Sequence, residues 1–453
     1  MRFIGKYLPL LLAAGILFPT GCATVKEARQ VQNEPQAQLP GEYTVTAEFL
    51  GIKPDGEYSL KQLEEAALKG NPAVLQAQLA VEQARIALNN ARAAYLPVLS
   101  ANAGHSRRTN NTSRHSGSTS NSGSYSAGLS FNYTLYDFGQ TDAAVQQAQN
   151  ALLAAEEELR SANSQIVYNV RTAFFELKRA FDLYDVATES VAQYKTHLEQ
   201  VRLKKEIGSG MSYDVTKAEV DYNNALLNEI TAEHNIQLGW ADLNLALGLA
   251  ETVEYRLGAS EIKEYGSSAD ELMQTAKRSE PALLALNYKV AQASAAVDAA
   301  VAKLYPTFAL NLGGSFSGDN PGLPWLWNLT MGLTGTANIF NAGRDMDAIT
   351  GAAINLRLAR SRLAAKSQSV YKNIRTGVLT ARRAQRQLEV ARLAENSARQ
   401  NLEIVNEKFK LGKASSVDRT DAQVSYSTAK ANVVKATFDY AEAQAALAFL
   451  IGE

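Results

Sequence analysis

Few side chains here have the type and spacing to do chemistry. The only thiol is Cys22. A lone cysteine makes no internal disulfide framework and no CxxC metal site. The four histidines, His105, His115, His197 and His234, are scattered, and the first two fall in a polar stretch where they read as solvated rather than as metal ligands. No Met-rich tract offers a soft-metal site, and there is no GxxxxGK[ST], HExxH or GxSxG. Carboxylates are interleaved with Lys and Arg, the pattern of solvated helix faces. The formal net charge of -1 implies no general attraction to nucleic acid. The expectation is a protein with no catalytic residue, cofactor or metal, and not an enzyme.

Cys22 remains as a candidate for modification. Arg2 and Lys6 precede an apolar run from Tyr7 to Phe18, followed by Pro19-Thr20-Gly21-Cys22. This is the pattern of a bacterial secretory signal, here residues 1–21. The cleavage region resembles the lipobox of bacterial lipoproteins, although Pro19 stands where Leu is usual. The resemblance implies lipidation of Cys22, and Ala23, in place of an Asp, implies the outer membrane. An ordinary signal with an incidental cysteine is the other reading. Residues 22–57, with Gln, Glu and Pro scattered through them, read as a mostly extended tether.

The remaining chain is written twice. The stretch from Asn71-Pro72 to Tyr95-Leu96-Pro97 is matched by Glu280-Pro281 to Leu304-Tyr305-Pro306. Leu135 to Gly139 (LYDFG) matches Ile339 to Gly343 (IFNAG), and the same offset carries Gly208, Ser212, Asp214 and Gly248 onto Gly412, Ser416, Asp418 and Gly452. The two copies take residues 58–249 and 267–453, with a connector at 250–266. Their one length change falls between Pro97 and Gly139, which marks a loop there.

Residues 140–207 contain neither Pro nor Gly. Val145, Leu152, Leu159, Ile166, Ala173, Ala180, Ala187, Tyr194 and Val201 recur every seven residues, as do Ile349, Leu356, Leu363, Val370, Gly377, Ala384, Ala391, Ala398 and Val405 in the second copy. Heptads sustained this long predict coiled-coil helices, each spanning roughly 100 Å. Gly208 and Gly412 are expected to end them. Ser212 and Ser416 are expected to cap the returning helices, with Asp214 and Asp418 in the first turns. A helical tether would share all of this.

The segments after the prolines do not fit a tether. Tyr125, Ala127, Leu129, Phe131, Tyr133 and Leu135 alternate with Ser126, Gly128, Ser130, Asn132 and Thr134. Similar alternation runs through Thr307–Phe316 and Asn328–Ile339, with Gly335 as a gap, and more weakly from Val98. Strands of about ten residues with one apolar and one small polar face suit a membrane barrel around water; half of a soluble sandwich is the alternative. Residues 105–124 read as a polar loop, and Trp325 and Trp327, beside the shorter second loop, as interfacial anchors. Four strands cannot enclose a lumen, and open edges cannot face lipid, so the strands must close with other copies. A trimer giving twelve is the simplest ring.

The duplicated order of helix, Leu/Tyr-Pro, strand, loop, strand, Asp/Asn-x-Gly, long helix, Gly tip and Ser-x-Asp resembles the TolC-type outer-membrane efflux proteins over residues 58–453. That resemblance implies an α+β fold, mostly long coiled-coil hairpins, with a four-strand contribution to a trimeric twelve-stranded barrel. It implies a homotrimeric exit duct in the outer-membrane lipid with a periplasmic helical tunnel, served by a periplasmic adaptor and an inner-membrane pump of RND or ABC type. The tips, Gly208, Ser212, Asp214, Gly412 and Ser416 among them, would meet the adaptor. Asp418 and Asp421 match the positions that narrow the entrance in the family, whereas the first copy has Asp214 and Lys217, a potential local ion pair. A plain helix-start role for Asp418 is the alternative. An exit duct for secreted proteins is the rival within the family.

Overall fold

The computed structural model describes residues 45–111, 119–260, 263–266, 268–319 and 326–452, plus a few positions between 24 and 32. Cys22, the signal segment, His115 and Trp325 lie outside the described residues. The chain divides into a unit ending at Thr46 and a second from Ala47 onward. Of the first, short helical stretches and residues 45–46 are described.

The elements of the second unit run α1 (Ala47–Leu50), β1 (Glu57–Tyr58), α2 (Leu60–Gly70), α3 (Pro72–Ala93), β2 (Val98–Asn111), β3 (Thr119–Tyr136), α4 (Gln140–Glu206) and α5 (Ser212–Leu247). Then follow β4 (Arg256–Leu257), α6 (Ala269–Ser279), α7 (Pro281–Ala302), β5 (Thr307–Gly318), β6 (Leu326–Thr336), α8 (Arg344–Lys410) and α9 (Ser416–Ile451). The short helix α1 lies within the stretch expected as a mostly extended tether.

The two copies match element by element. α4 and α8 each have 67 residues, about 100 Å at the α-helical rise, and α5 and α9 each have 36. Every heptad position named above is buried or half-buried. In the second copy Leu272, Met273, Ala276, Leu283, Val370, Ile374, Val378, Ala381, Leu447 and Ile451 form one apolar cluster. Leu63, Ala67, Val74, Ile166, Val170, Phe174, Leu177, Leu243 and Leu247 hold the corresponding buried places in the first. The caps repeat as well: Ser59 and Ser268 each make a capping box, and Asn71 and Glu280 each cap a helix beginning with Pro.

Each hairpin has a glycine at a close helix approach, but on opposite helices. A Cβ on Gly239 of α5 would stand 3.2 Å from Leu177 Cα on α4, and one on Gly377 of α8 would stand 2.9 Å from Leu447 Cδ2 on α9. Each copy also closes on itself. Asn71 Nδ2 donates to Ala246 O at 3.0 Å, and Ser279 Oγ donates to Ile451 O at 2.6 Å, so the start of each copy touches its end.

The long strands form one antiparallel sheet in the order β2-β3-β5-β6, leaving β2 and β6 as open edges. Most of the stretch expected as a loop at 105–124 is paired strand: β2 and β3 stay in register out to Asn111 and Thr119. Only β2 and β3 continue past the Tyr125–Gly318 pair, so this hairpin overhangs the rest of the sheet.

Candidate functional site

Pairing register sorts the sheet into rows. On one face lie Ala103, Ala127, Phe316 and Trp327; then Ala101, Leu129, Gly314 and Leu329; then Leu99, Phe131, Leu312 and Met331. Tyr133, Leu310 and Leu333 continue this face, and Phe308 lies opposite Gly335. The Phe308 ring stands 3.0 Å from where a Gly335 Cβ would be, so the gap in the alternation is covered by an aromatic ring. The other face carries Ser100, Ser130, Gly313 and Thr330, then Asn102, Gly128, Ser315 and Asn328. Ser100 Oγ meets Ser130 Oγ at 2.7 Å across it. One face is therefore apolar and the other small, polar and uncharged, as lipid and water respectively require. Trp327 and Leu329 are 73% exposed in the single chain, and Met331 77%.

Strand passes to long helix through a tight turn with Phe138 (φ 52°) and Ala342 (φ 48°) at matched positions, each followed by glycine. Asp137 holds this turn by accepting from Gly139 N and Thr141 N.

The long helices pack in the order α5, α4, α9, α8. The middle seam, α4 against α9, is antiparallel and joins the two copies. Tyr168 stacks on Phe449 at 5.0 Å, Arg179 reaches Asp439 at 3.4 Å and Glu442 at 3.5 Å, Lys430 pairs with Glu189, and His197 Nε2 lies 2.9 Å from Ser416 Oγ. The outer flanks are charged oppositely. α5 bears six carboxylates against one lysine, whereas α8 bears fourteen Lys and Arg against six carboxylates. A groove of about 980 Å³ along α8 and α9 is lined by Leu379, Arg382, Arg383, Arg386, Val390 and Val424 among others.

At the tips, Gly208 (φ 77°) and Gly412 (φ 71°) turn the chain with nothing within 4 Å of a Cβ, so their role is backbone conformation. The capping serines are corrected. Ser415, not Ser416, caps α9; Ser416 is the first helical residue, free to bond His197. Ser212 likewise starts α5, behind Met211, and makes no side-chain cap. Asp214 lies in the first turn of α5, but Lys217 pairs with Asp221 at 3.8 Å rather than with Asp214. Asp418 completes the cap: its Oδ2 accepts from Ser415 N at 2.9 Å and Ser415 Oγ at 2.7 Å, which holds the carboxyl below its ordinary range. Asp421 is exposed one turn on.

Two groups near the tip were not singled out by sequence. Tyr194 is buried, and burial, with Asp221 and Asp421 nearby, pushes its phenol up to about 12. His197 is 3% exposed and Nδ1 has no partner among the described residues. Burial, then the charges of Arg419 and Lys204, press its pKa down to about 4. Phe409 contacts the His197 ring at 5.6 Å, with Lys204 Nζ 3.7 Å from its own centroid and Arg419 Cζ at 5.6 Å. The available signal was divergence between copies: His197, Phe409 and Arg419 correspond to Asn401, Lys205 and Val215.

Among the described residues no three His, Cys, Asp or Glu gather as a metal site, and no helix is long and apolar enough to cross a membrane.

The family model described as outer membrane efflux protein matches residues 63–249 and 272–453. Outer membrane protein TolC of Vibrio cholerae is 25% identical over 401 residues, 84% of this chain and 88% of that one. TolC of Escherichia coli is 27% identical over 226 residues, a match spanning 48% of this chain and 46% of the relative. Among solved structures, CusC aligns with a TM-score of 0.77 at 19% identity, over 92% of this chain and 95% of that one, a likeness of fold.

Proposed function

The chain belongs to the outer membrane efflux protein family, and we propose how it works as an outer-membrane exit duct of an efflux system. Three copies join, β6 of one to β2 of the next, into a twelve-stranded barrel. The basic α8 flank of each copy meets the acidic α5 flank of its neighbour, closing a periplasmic tunnel. The observation that carries this reading is the sheet: one face apolar, one uncharged and polar, both edges open. A barrel in lipid tolerates no open edge. Opposite charges on the two flanks favour head-to-tail closure over like-with-like pairing.

Solute passes through the lumen passively, and an inner-membrane pump of RND or ABC type supplies the energy. The hairpin tips around Gly208 and Gly412 dock a periplasmic adaptor. Asp418 and Asp421, in three copies, crowd carboxylates around the axis at the narrow end, where mutual repulsion favours widening or cation binding. Cys22 carries the lipid that anchors the mature chain. The cargo class consistent with the relatives is small toxic compounds: two relatives from Pseudomonas putida are named an antibiotic and a toluene efflux pump outer membrane protein.

Electron microscopy of detergent-purified protein tests the assembly. A threefold particle with a short barrel and a tube of roughly 100 Å is expected from the helix rise. A monomer or a plain rod would overturn it.

A further inference from the structure

The four long strands hold only two Lys, Arg, Asp or Glu side chains, and they are neighbours: Arg107 and Arg108. Both sit on the overhanging part of the β2–β3 hairpin, opposite Gly123 and Ser122. Adjacent strand residues point to opposite faces. Arg107 shares the apolar face with His105, Tyr125, Phe316 and Trp327, and Arg108 shares the polar face with Ser106 and Ser122.

The height of Arg107 follows from the register. On β5 the apolar face runs from the Phe308 row to the Gly318–Tyr125 row. Those ten steps cover about 33 Å along the strand. At a tilt near 40° this is about 25 Å of height, the apolar band of an outer-membrane barrel. The upper edge is aromatic: Trp327 and Phe316 in one row, then Tyr125 with the His105 ring stacked at 4.2 Å. Arg107 stands one row above. It is exposed and forms no ion pair among the described residues. Its guanidinium therefore comes at headgroup level, directly above the hydrocarbon and on the side facing lipid. An arginine there meets phosphate with a bidentate fork.

We propose that Arg107 binds a phosphate group of the outer-leaflet lipid, with the Tyr125–His105 stack seated at the hydrocarbon boundary beneath it. This rests on the duct reading, which makes the apolar face the lipid face and the hairpin end the outer end. Three copies would place three such contacts around the barrel and fix its depth from above.

The test uses the full chain as purified trimers: wild type, Arg107→Gln, and Arg108→Gln as a variant of equal charge on the opposite face. Each is titrated with lipid A carrying both phosphates, with dephosphorylated lipid A and with inorganic phosphate, and read by native mass spectrometry. Wild type and R108Q are expected to bind phosphorylated lipid A alike. R107Q is expected to bind it about five- to tenfold more weakly, as loss of a charge-assisted contact implies, with no difference among the three on the dephosphorylated lipid. Equal binding by R107Q and R108Q would overturn the proposal, as would inorganic phosphate competing fully at the same site. Trimers that are not heat-modifiable on gels would overturn the duct reading, and this one with it. Heat-modifiable trimers with equal variants would overturn this one alone.

Discussion

His197 on α4 and Ser416 at the start of α9 meet at 2.9 Å, so a buried imidazole ties the first copy's long helix to the second copy's tip. Its depressed pKa sets a sign. Between the ordinary histidine range near 6.5 and about 4, the unfolded chain binds a proton here that the folded chain does not. Stability from this group is present above about pH 6.5, and is lost as pH falls towards 4. The thermal midpoint should fall between pH 7.5 and 5, and His197→Gln should reduce that fall. An identical pH slope in the variant would refute the assignment.

The two aspartates proposed for the narrow end should separate on mutation. Asp418 is held in its capping box, while Asp421 is exposed beside Tyr194. Asp421→Asn should raise single-channel conductance about twofold by removing carboxylates that hold a cation in the constriction, without lowering the thermal midpoint. Asp418→Ala should both raise conductance and loosen the tip. Unchanged conductance with both residues replaced would remove them from the gate.

Gly412→Leu forces a left-handed backbone on a side chain that meets nothing, so its cost is conformational, about 1–2 kcal/mol. Trimers should survive while crosslinking to the adaptor weakens. Normal crosslinking would count against the tip as the docking site.

Gly239→Val drives a methyl towards Leu177 Cα. A loss of about 1–3 kcal/mol is expected for overpacking, read as a lower midpoint. The corresponding residue of the second copy, Ala443, accepts a Cβ where Ala381 stands in place of Leu177. A neutral Gly239→Val would show that the hairpin has slack.

Cys22→Ser should abolish metabolic labelling with palmitate. Label that persists would show the lipid to be elsewhere, or the signal to be of the ordinary kind.

The helices were legible because heptads and glycine tips are local signals, and the duplication repeated each one. The overhanging hairpin was not. Above the membrane both faces of a strand are polar, so Ser106 to Asn111 and Thr119 to Ser124 show no alternation although they pair. The capping error was one of register: Ser415 and Ser416 are adjacent serines, and only the reach to Asp418 three residues on distinguishes the cap. The His197 contact was invisible for a different reason. It joins residues 219 apart, at positions where the two copies have diverged.

The contact of Asn71 with Ala246, and of Ser279 with Ile451, has a kinetic consequence. A unit whose two ends adjoin can be joined to a second of its kind by a short linker without rearranging either. A wall of six separate hairpin units would need five successful encounters between molecules before it closed. Fused in pairs, it needs two, and the first partner of every unit is present at the high local concentration that a short tether gives.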